Sequence, residues 1–154
     1  MQGLPLDIKI KILSQVYKDN VELLKNAIKN NDTWVFEHLQ LCPSNINLWK
    51  LAATCKNLKI IKILDKKEVD GCTTDAMNYA AQYGHLEIVK VLHKNRSEGC
   101  TTDAMNYAAS NGHLEVVKFL HENRSEGCTT AAMKYAKLNN HLKVVKYLKT
   151  FKIE

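Results

Sequence analysis

The stretch GCTTDAMNYAA occupies residues 71–81 and recurs unchanged at residues 99–109. The surrounding 28-residue segments, 71–98 and 99–126, are identical at 23 of 28 positions. Moving 28 residues in either direction gives two further segments that align without gaps, 43–70 and 127–154. A fixed period of this length indicates a repeat protein whose units stack on one another.

Each repeat predicts two helices. In the first copy, helix one starts near Thr74, where a cap residue can accept from free backbone N–H groups, and ends at Gly84. Helix two runs from about Leu86 to about Lys94 and is apolar around most of its circumference. Because two short helices cannot bury such faces alone, the units are expected to stack as an all-α solenoid.

The segment DAMNYAAQYGHLEIVKVL (75–92) resembles the ankyrin repeat, whose pattern is TPLHxAAxxGHxxIVxxLL. Asp75 and Asn78 take the places of the Thr and His that bond to each other in that family. The resemblance implies an ankyrin-repeat solenoid of helix-turn-helix units over residues 43–154, in the four segments 43–70, 71–98, 99–126 and 127–154. At 28 residues instead of about 33, the unit is similar to arrays in protist and large-DNA-virus proteins, with a trimmed finger in the loop NRSEGCTT.

The ends of the chain depart from the pattern. Residues 20–42 are expected to form a divergent N-terminal repeat. In the last unit Lys137 replaces an alanine, Asn140 a glycine and Lys143 a glutamate, which is typical of a terminal repeat facing water. Of the net charge of +6, +5 lies in residues 127–154, which carry six Lys and one Glu.

Residues 1–19 do not fit the repeat. LPLDIKIKIL resembles the opening of an F-box, and the matching residues are Leu4, Pro5, Asp7, Ile8, Ile12 and Leu13. The resemblance implies docking on the adaptor subunit of a cullin-type ubiquitin ligase, with the repeats holding the substrate. The alternative is an amphipathic helix that caps the first repeat.

Composition narrows the class of protein. With 45% hydrophobic and 25% charged residues the chain is an ordinary globular protein. No apolar run is long enough to span a bilayer, and no signal peptide is evident. Five cysteines, an odd number, indicate reduced thiols. These features predict a cytoplasmic protein, with the nucleus, or a host cytoplasm for a viral protein, as alternatives.

Residues that bear reactive groups recur in register but do not form a site. Stacked helices lie about 8–10 Å apart, too far for Cys72, Cys100 and Cys128 to share one zinc ion. The repeated histidines, His85, His113 and His141 together with His93 and His121, are interpreted as structural. No phosphate loop, nucleophile elbow or paired-acid motif is present. We therefore expect no catalytic activity, no metal and no cofactor.

The near-identical copies differ most at the end of the first helix, at Gln82-Tyr83 against Ser110-Asn111. In ankyrin proteins this place faces a concave groove that contacts partners, although drift at exposed positions is an alternative. A tyrosine also recurs in the first helix, either stacking between repeats or facing a ligand. The expected partner-binding residues are Thr54, Tyr79, Gln82, Tyr83, Tyr107, Ser110, Asn111, Tyr135, Leu138 and Asn139.

These patterns predict a monomeric, non-catalytic module that binds another protein through its concave face. A ubiquitin-ligase substrate receptor is the first alternative. The second is binding of nucleic acid, which is less favoured, or of an acidic partner through the lysines of the last repeat. Those lysines are Lys143, Lys146, Lys149 and Lys152. No membrane partner is expected.

Overall fold

The computed structural model describes residues 21–38 and 47–150, together with Pro5 and Ile8. Within these ranges the chain forms ten helices and no strand. None of these helices is long and apolar enough to cross a membrane. Their bounds are α1 Val21–Lys29, α2 Thr33–His38, α3 Leu48–Thr54, α4 Leu58–Lys66, α5 Thr74–Gln82, α6 Leu86–Asn95, α7 Thr102–Ser110, α8 Leu114–Asn123, α9 Thr130–Leu138 and α10 Leu142–Leu148.

The helices belong to two compact units, Met1–Gly71 and Cys72–Glu154. In the first unit α1 contacts α2 and α3, and α4 packs against α2 and α3. The buried amide of Asn57 ties the two helix pairs together, because its Nδ2 donates to the Ile28 carbonyl at 2.7 Å while its Oδ1 accepts from Ile60 N at 3.1 Å. Trp49, 1% exposed, donates from its indole N–H to the Val69 carbonyl at 3.0 Å.

In the second unit three helix pairs stack in the order of the chain. The first helices form one row, α5 against α7 and α7 against α9, and the second helices form another, α6 against α8 and α8 against α10. Alanines in the first row, such as Ala80 and Ala108, are fully buried, so neighbouring helices can approach closely. This confirms the predicted all-α solenoid of helix-turn-helix units.

The predicted helix limits agree with the structure to within two residues, since the first helix ends at Gln82, just before the turn at Gly84. The first helix of the copy at 71–98 starts at Thr74, and the turn at Gly84 has a φ of +72°. The second helix extends to Asn95 instead of Lys94. The limits were predictable because cap residues, apolar spacing and the turn glycine are all local signals.

Asn78 has a role between repeats in addition to the place that the family pattern gives it. Its Nδ2 donates to Thr101 Oγ1 and its Oδ1 accepts from Thr101 N, both at 3.0 Å, so these bonds reach the next repeat. Asn106 repeats the arrangement, accepting from Thr129 N at 3.0 Å. Each of these buried amides therefore joins one repeat to the start of the next.

Candidate protein-binding surface

A row of partly exposed tyrosines runs along the first helices of the second unit. Tyr83 and Tyr107 are each 46% exposed and Tyr135 is 47% exposed. Met77 and Met105, which lie on the opposite side of the same helices, are buried at 1% and 2%. The rings are therefore exposed because they lie on the side of the helices opposite the buried methionines. Half-exposed aromatic rings make good interface anchors.

Tyr79 is half-buried, unlike its equivalents Tyr107 and Tyr135. Its ring stacks on that of Tyr83, four residues later in the chain, with centroids 6.5 Å apart. The next copy has Asn111 in place of Tyr83, so it lacks this ring pair. Of the two alternatives for the tyrosines, the exposed fractions favour presentation at the surface over stacking between repeats.

The asparagines of the predicted site bond to the preceding repeat. Asn111 Nδ2 donates to the Gln82 carbonyl at 2.8 Å, and Asn139 Nδ2 donates to the Ser110 carbonyl at 2.7 Å. Both asparagines are exposed, whereas Gln82 and Ser110 are half-buried. A partner could still reach the remaining polar atoms, but part of the role of these asparagines is to join repeats.

The remaining two predicted residues differ in setting. Leu138, at the end of α9, is 68% exposed. Thr54 belongs to the first unit and is half-buried. Its hydroxyl donates to the Lys50 carbonyl at 2.9 Å, within α3.

His113 and His141, at the starts of α8 and α10, brace the turn glycines of the preceding repeats. A Cβ on Gly84 would lie 2.5 Å from His113 Nδ1, and a Cβ on Gly112 would lie 2.5 Å from His141 Nδ1. Burial lowers the pKa of His113, a hydrogen bond to the Gln82 backbone opposes this shift, and the nearby His141 adds to it. The structural interpretation of these two histidines therefore has a physical basis.

The lowered pKa of His113 predicts a pH-dependent stability. Above about pH 6.5, the ordinary value for histidine, neither state holds this proton. Below it the unfolded chain takes up the proton first, so the free energy of unfolding falls until the lower folded-state pKa is passed. We expect urea denaturation at pH 7.5 and pH 5.5 to show this decrease, and His113→Gln to reduce it. An unchanged decrease in the variant would contradict the assignment.

His93 and His121 occupy equivalent positions but have different partners. His121 Nδ1 lies 3.0 Å from the Tyr147 hydroxyl, with the rings edge to face. The equivalent of Tyr147 one repeat earlier is Phe119, whose ring meets that of His93 edge to face with centroids 5.5 Å apart. The buried Nδ1 of His93 consequently finds no hydrogen-bond partner among the described residues.

This difference predicts that Phe119→Tyr stabilises the protein. The added hydroxyl would give His93 Nδ1 the partner that His121 already has, worth about 1 kcal/mol in the free energy of unfolding. The matched variant Tyr147→Phe should lose up to about 1 kcal/mol. Both values can be measured by urea denaturation. A destabilising Phe119→Tyr would mean that the contact has no room for the hydroxyl.

The loop NRSE contains ion pairs that the sequence reasoning did not predict. Arg96 binds Glu98 through Nη2 at 2.7 Å and Nε at 3.3 Å, and Arg124 binds Glu126 in the same two-pronged manner. All four side chains are no more than a quarter exposed. The only available signal was the unchanged NRSE in both copies, because pairs two residues apart in a loop have no periodic pattern.

Cys100 and Cys128 have the properties of unreactive thiols. Burial and the Glu126 carboxylate raise the pKa of Cys100 to about 11, against the opposing effect of Arg124. Burial also raises the pKa of Cys128. A thiol with a raised pKa is mostly protonated at neutral pH and is a poor nucleophile. Over residues 21–38 and 47–150, no three His, Cys, Asp or Glu side chains cluster closely enough to hold a metal ion.

Two lysines of the second helices form surface pairs with a glutamate three residues earlier in the chain. Lys90 lies 2.8 Å from Glu87, and Lys118 lies 2.9 Å from Glu115. Such exposed pairs contribute little to stability. In the last repeat Lys143 replaces this glutamate, so α10 is basic.

The F-box-like residues fall almost entirely outside the described part of the chain. Leu4, Asp7, Ile12 and Leu13 are not described. Pro5 is exposed, and Ile8 is helical and 39% exposed. The F-box-like interpretation is therefore untested by the structure.

Comparison with known protein families finds that part of the second unit is similar to one of them. The family model described as ankyrin repeats (many copies) matches residues 77–121 and 107–149. A search of curated proteins finds no significant match. The two matches cover somewhat less than half of the chain. Both lie in the second unit, Cys72–Glu154. Together they show that the chain contains an all-α ankyrin-repeat solenoid.

Proposed function

We propose that this protein binds another protein through the concave face of its repeats, on a surface centred on Tyr83, Tyr107 and Tyr135. Ankyrin repeats are generally protein–protein interaction modules. The observation that carries the specific surface is the exposed tyrosine row, with each ring 46–47% exposed. Tyrosine combines a large rigid contact area with a polar hydroxyl, so it is enriched at binding hot spots.

Variation between the copies supports the same surface. The two copies are otherwise nearly identical, yet Gln82-Tyr83, which supplies one ring of the tyrosine row, becomes Ser110-Asn111 in the next copy. Two of the other differences, Ile88 to Val116 and Val91 to Phe119, are apolar for apolar. A surface that must fit one partner along its length requires different side chains at successive repeats, whereas the core requires the same packing each time.

The proposed role is non-catalytic. The proposed division of the chain into domains follows the 28-residue period of the sequence. Residues 43–154 would form four 28-residue repeats and residues 20–42 a divergent one, with residues 1–19 as an F-box-like or capping helix. The match of LPLDIKIKIL to an F-box supports adaptor docking as a second candidate function. In that case the tyrosine surface would hold the substrate of the ligase.

One pull-down with four baits tests both proposals. The baits are the intact chain, Tyr107→Arg/Tyr135→Arg, Leu4→Ala/Pro5→Ala, and the control Lys90→Ala/Lys118→Ala on the second helices. We expect a partner that the tyrosine variant loses and the lysine control keeps. A ligase adaptor lost only with the Leu4/Pro5 variant would support the F-box-like role. Partners indifferent to the tyrosine variant would contradict the proposed surface.

The affinity for the captured partner then gives the magnitude. Truncating a central hot-spot tyrosine removes about 2 kcal/mol of binding free energy, which is about 30-fold in Kd. We expect Tyr107→Ala to have this effect in a titration calorimeter. The exposed lysine variant Lys90→Ala should change the Kd less than about threefold.

A further inference from the structure

The last repeat carries a groove on the face of α9 that, in the earlier repeats, packs against the next one. The groove has a volume of about 600 Å³. Met133 and Leu138 provide its exposed apolar part, with the buried Leu148 beneath them, and Lys134, Lys137 and Lys149 provide its charged part. Met77 and Met105, the equivalents of Met133, are buried at 1% and 2%, whereas Met133 is half-buried and Leu138 is 68% exposed.

The sequence of α9 shows that another repeat of the same kind is not the occupant. Lys137 stands where Ala81 and Ala109 are fully buried against a neighbour, so a stacked repeat would bury its ammonium group. Lys134 stands where Asn78 and Asn106 bond to the next repeat. Both features by which one repeat receives the next have been replaced by lysine.

The same face also differs from a surface that only contacts water. Leu138 replaces the polar Gln82 and Ser110 of the inner repeats, which adds exposed apolar surface where the chain elsewhere has polar side chains. Contiguous apolar surface bordered by charged residues marks interaction sites. The changes at the end of the array therefore combine an added leucine with added lysines.

The charge around the groove is of one sign. Residues 127–150 contain no Asp or Glu, and Ala131 takes the place of the Asp75 and Asp103 of the inner repeats. An occupant that covers Met133 and Leu138 must lie beside three ammonium groups, those of Lys134, Lys137 and Lys149. Its chemistry is thereby specified as an apolar stripe flanked by carboxylates, the pattern of an acidic amphipathic helix laid in a groove.

We propose that this end groove binds an acidic amphipathic segment of a partner protein. The groove adjoins the tyrosine surface, because Lys134 Nζ lies 5.8 Å from the centroid of the Tyr135 ring and Leu138 belongs to both sets of residues. The proposal rests on the lining of the groove and not on the binding role proposed for the tyrosines. Phosphate groups of a nucleic acid would satisfy the lysines but would leave Met133 and Leu138 exposed, so the apolar residues favour a peptide.

Fluorescence anisotropy tests the groove with two labelled probes. The first is a 20-residue peptide with leucines at i, i+3, i+4 and i+7 and glutamates flanking them, and the second is a 20-nucleotide single-stranded DNA. The variants are Leu138→Gln, Lys134→Glu/Lys137→Glu, and the charge-matched control Lys143→Glu/Lys146→Glu, whose residues do not line the groove. Circular dichroism verifies that each variant is folded.

The intact chain is expected to bind the peptide. Leu138→Gln should weaken the affinity for the peptide about tenfold, which corresponds to the burial of one leucine side chain. Lys134→Glu/Lys137→Glu should weaken this affinity at least tenfold, and the control less than threefold. Photo-crosslinking of the peptide to the intact chain should label Met133 or Leu138, which tests the site without any variant.

Three results would overturn the proposal. The first is that the intact chain does not bind the peptide. The second is a result that assigns the lysines to a general basic surface. Such a result is either an equal loss of peptide affinity in the control variant, or tighter binding of DNA than of peptide that Leu138→Gln does not change. The third is peptide binding only after removal of residues 151–154, which would make the end of the chain itself the occupant.

Discussion

Gly112→Ala is expected to lower the free energy of unfolding by about 3 kcal/mol, because both the backbone and a neighbouring ring oppose the added methyl group. Gly112 has a φ of +77°, where an L-residue with a Cβ is disfavoured by about 1–2 kcal/mol. The new Cβ would also lie 2.5 Å from Nδ1 and 2.7 Å from Cε1 of His141, so the ring would have to leave the turn. Such overpacking typically costs a further 1–3 kcal/mol.

Gly127→Ala is the matched control for Gly112→Ala. Gly127 has a φ of +67°, but a Cβ there would meet no atom within 4 Å. Only the backbone contribution of about 1–2 kcal/mol should appear. The difference between the two variants in urea denaturation isolates the contact with His141, and equal losses would mean that the histidine moves aside freely.

A double-mutant cycle provides a second test of the same contact. If the ring of His141 opposes the added methyl group, then Gly112→Ala and His141→Ala together should destabilise less than the sum of the two single variants. Additive effects would show that the turn and the histidine do not interact, and the bracing role of the histidines would be wrong.

Asn78→Ala is expected to lower the free energy of unfolding by about 2–3 kcal/mol. Asn78 is 8% exposed and exchanges two hydrogen bonds with Thr101 of the next repeat. Its removal leaves the backbone N–H of Thr101 without this acceptor, at the residue that caps α7. A donor left unsatisfied in this way costs about 1–3 kcal/mol, and the lost amide packing adds to that.

Asn111→Ala is the control for Asn78→Ala, since it also removes a bond between repeats. Asn111 is exposed and donates one hydrogen bond, to the Gln82 carbonyl at 2.8 Å. Water can replace its amide, so we expect a loss of less than about 1 kcal/mol in urea denaturation. Comparable losses in the two asparagine variants would contradict the argument from burial.

The two candidate surfaces divide the second unit by chemistry. The tyrosine row presents uncharged aromatic rings along successive repeats, whereas the end groove combines leucine and lysine on the last repeat alone. A partner of the row is expected to bind with weak dependence on salt, and a partner of the groove with stronger dependence, because screening acts on exposed charges.

The helix pairs and their limits were predictable because every signal for them lies within a few residues. Thr73 or Thr101 at the start, methionine and alanine at helical spacing, and glycine in the turn act over one or two helical turns. The period of 28 then required that each pair bury its faces against the next, which determined the solenoid.

The hydrogen-bond partners were not predictable in the same way. The bonds of Asn78 to Thr101 and of Asn111 to Gln82 join residues 23 and 29 positions apart. Because Asn78 is preceded by Thr73 as Asn106 is by Thr101, the sequence cannot distinguish a bond within a repeat from a bond to the next one. The family pattern therefore gave no indication that Asn78 bonds to Thr101.

Sequence by itself determined the fold class, the helix limits and the candidate residues of this protein, because local propensity and an exact period carry that information. Tertiary structure alone decided which of those residues are available. The stacking of one repeat on another buries Met77 and Met105, commits Asn111 and Asn139 to carbonyl groups, and leaves the tyrosine row exposed. Exposure and pairing depend on what lies on the far side of each residue, and that neighbour belongs to a different repeat.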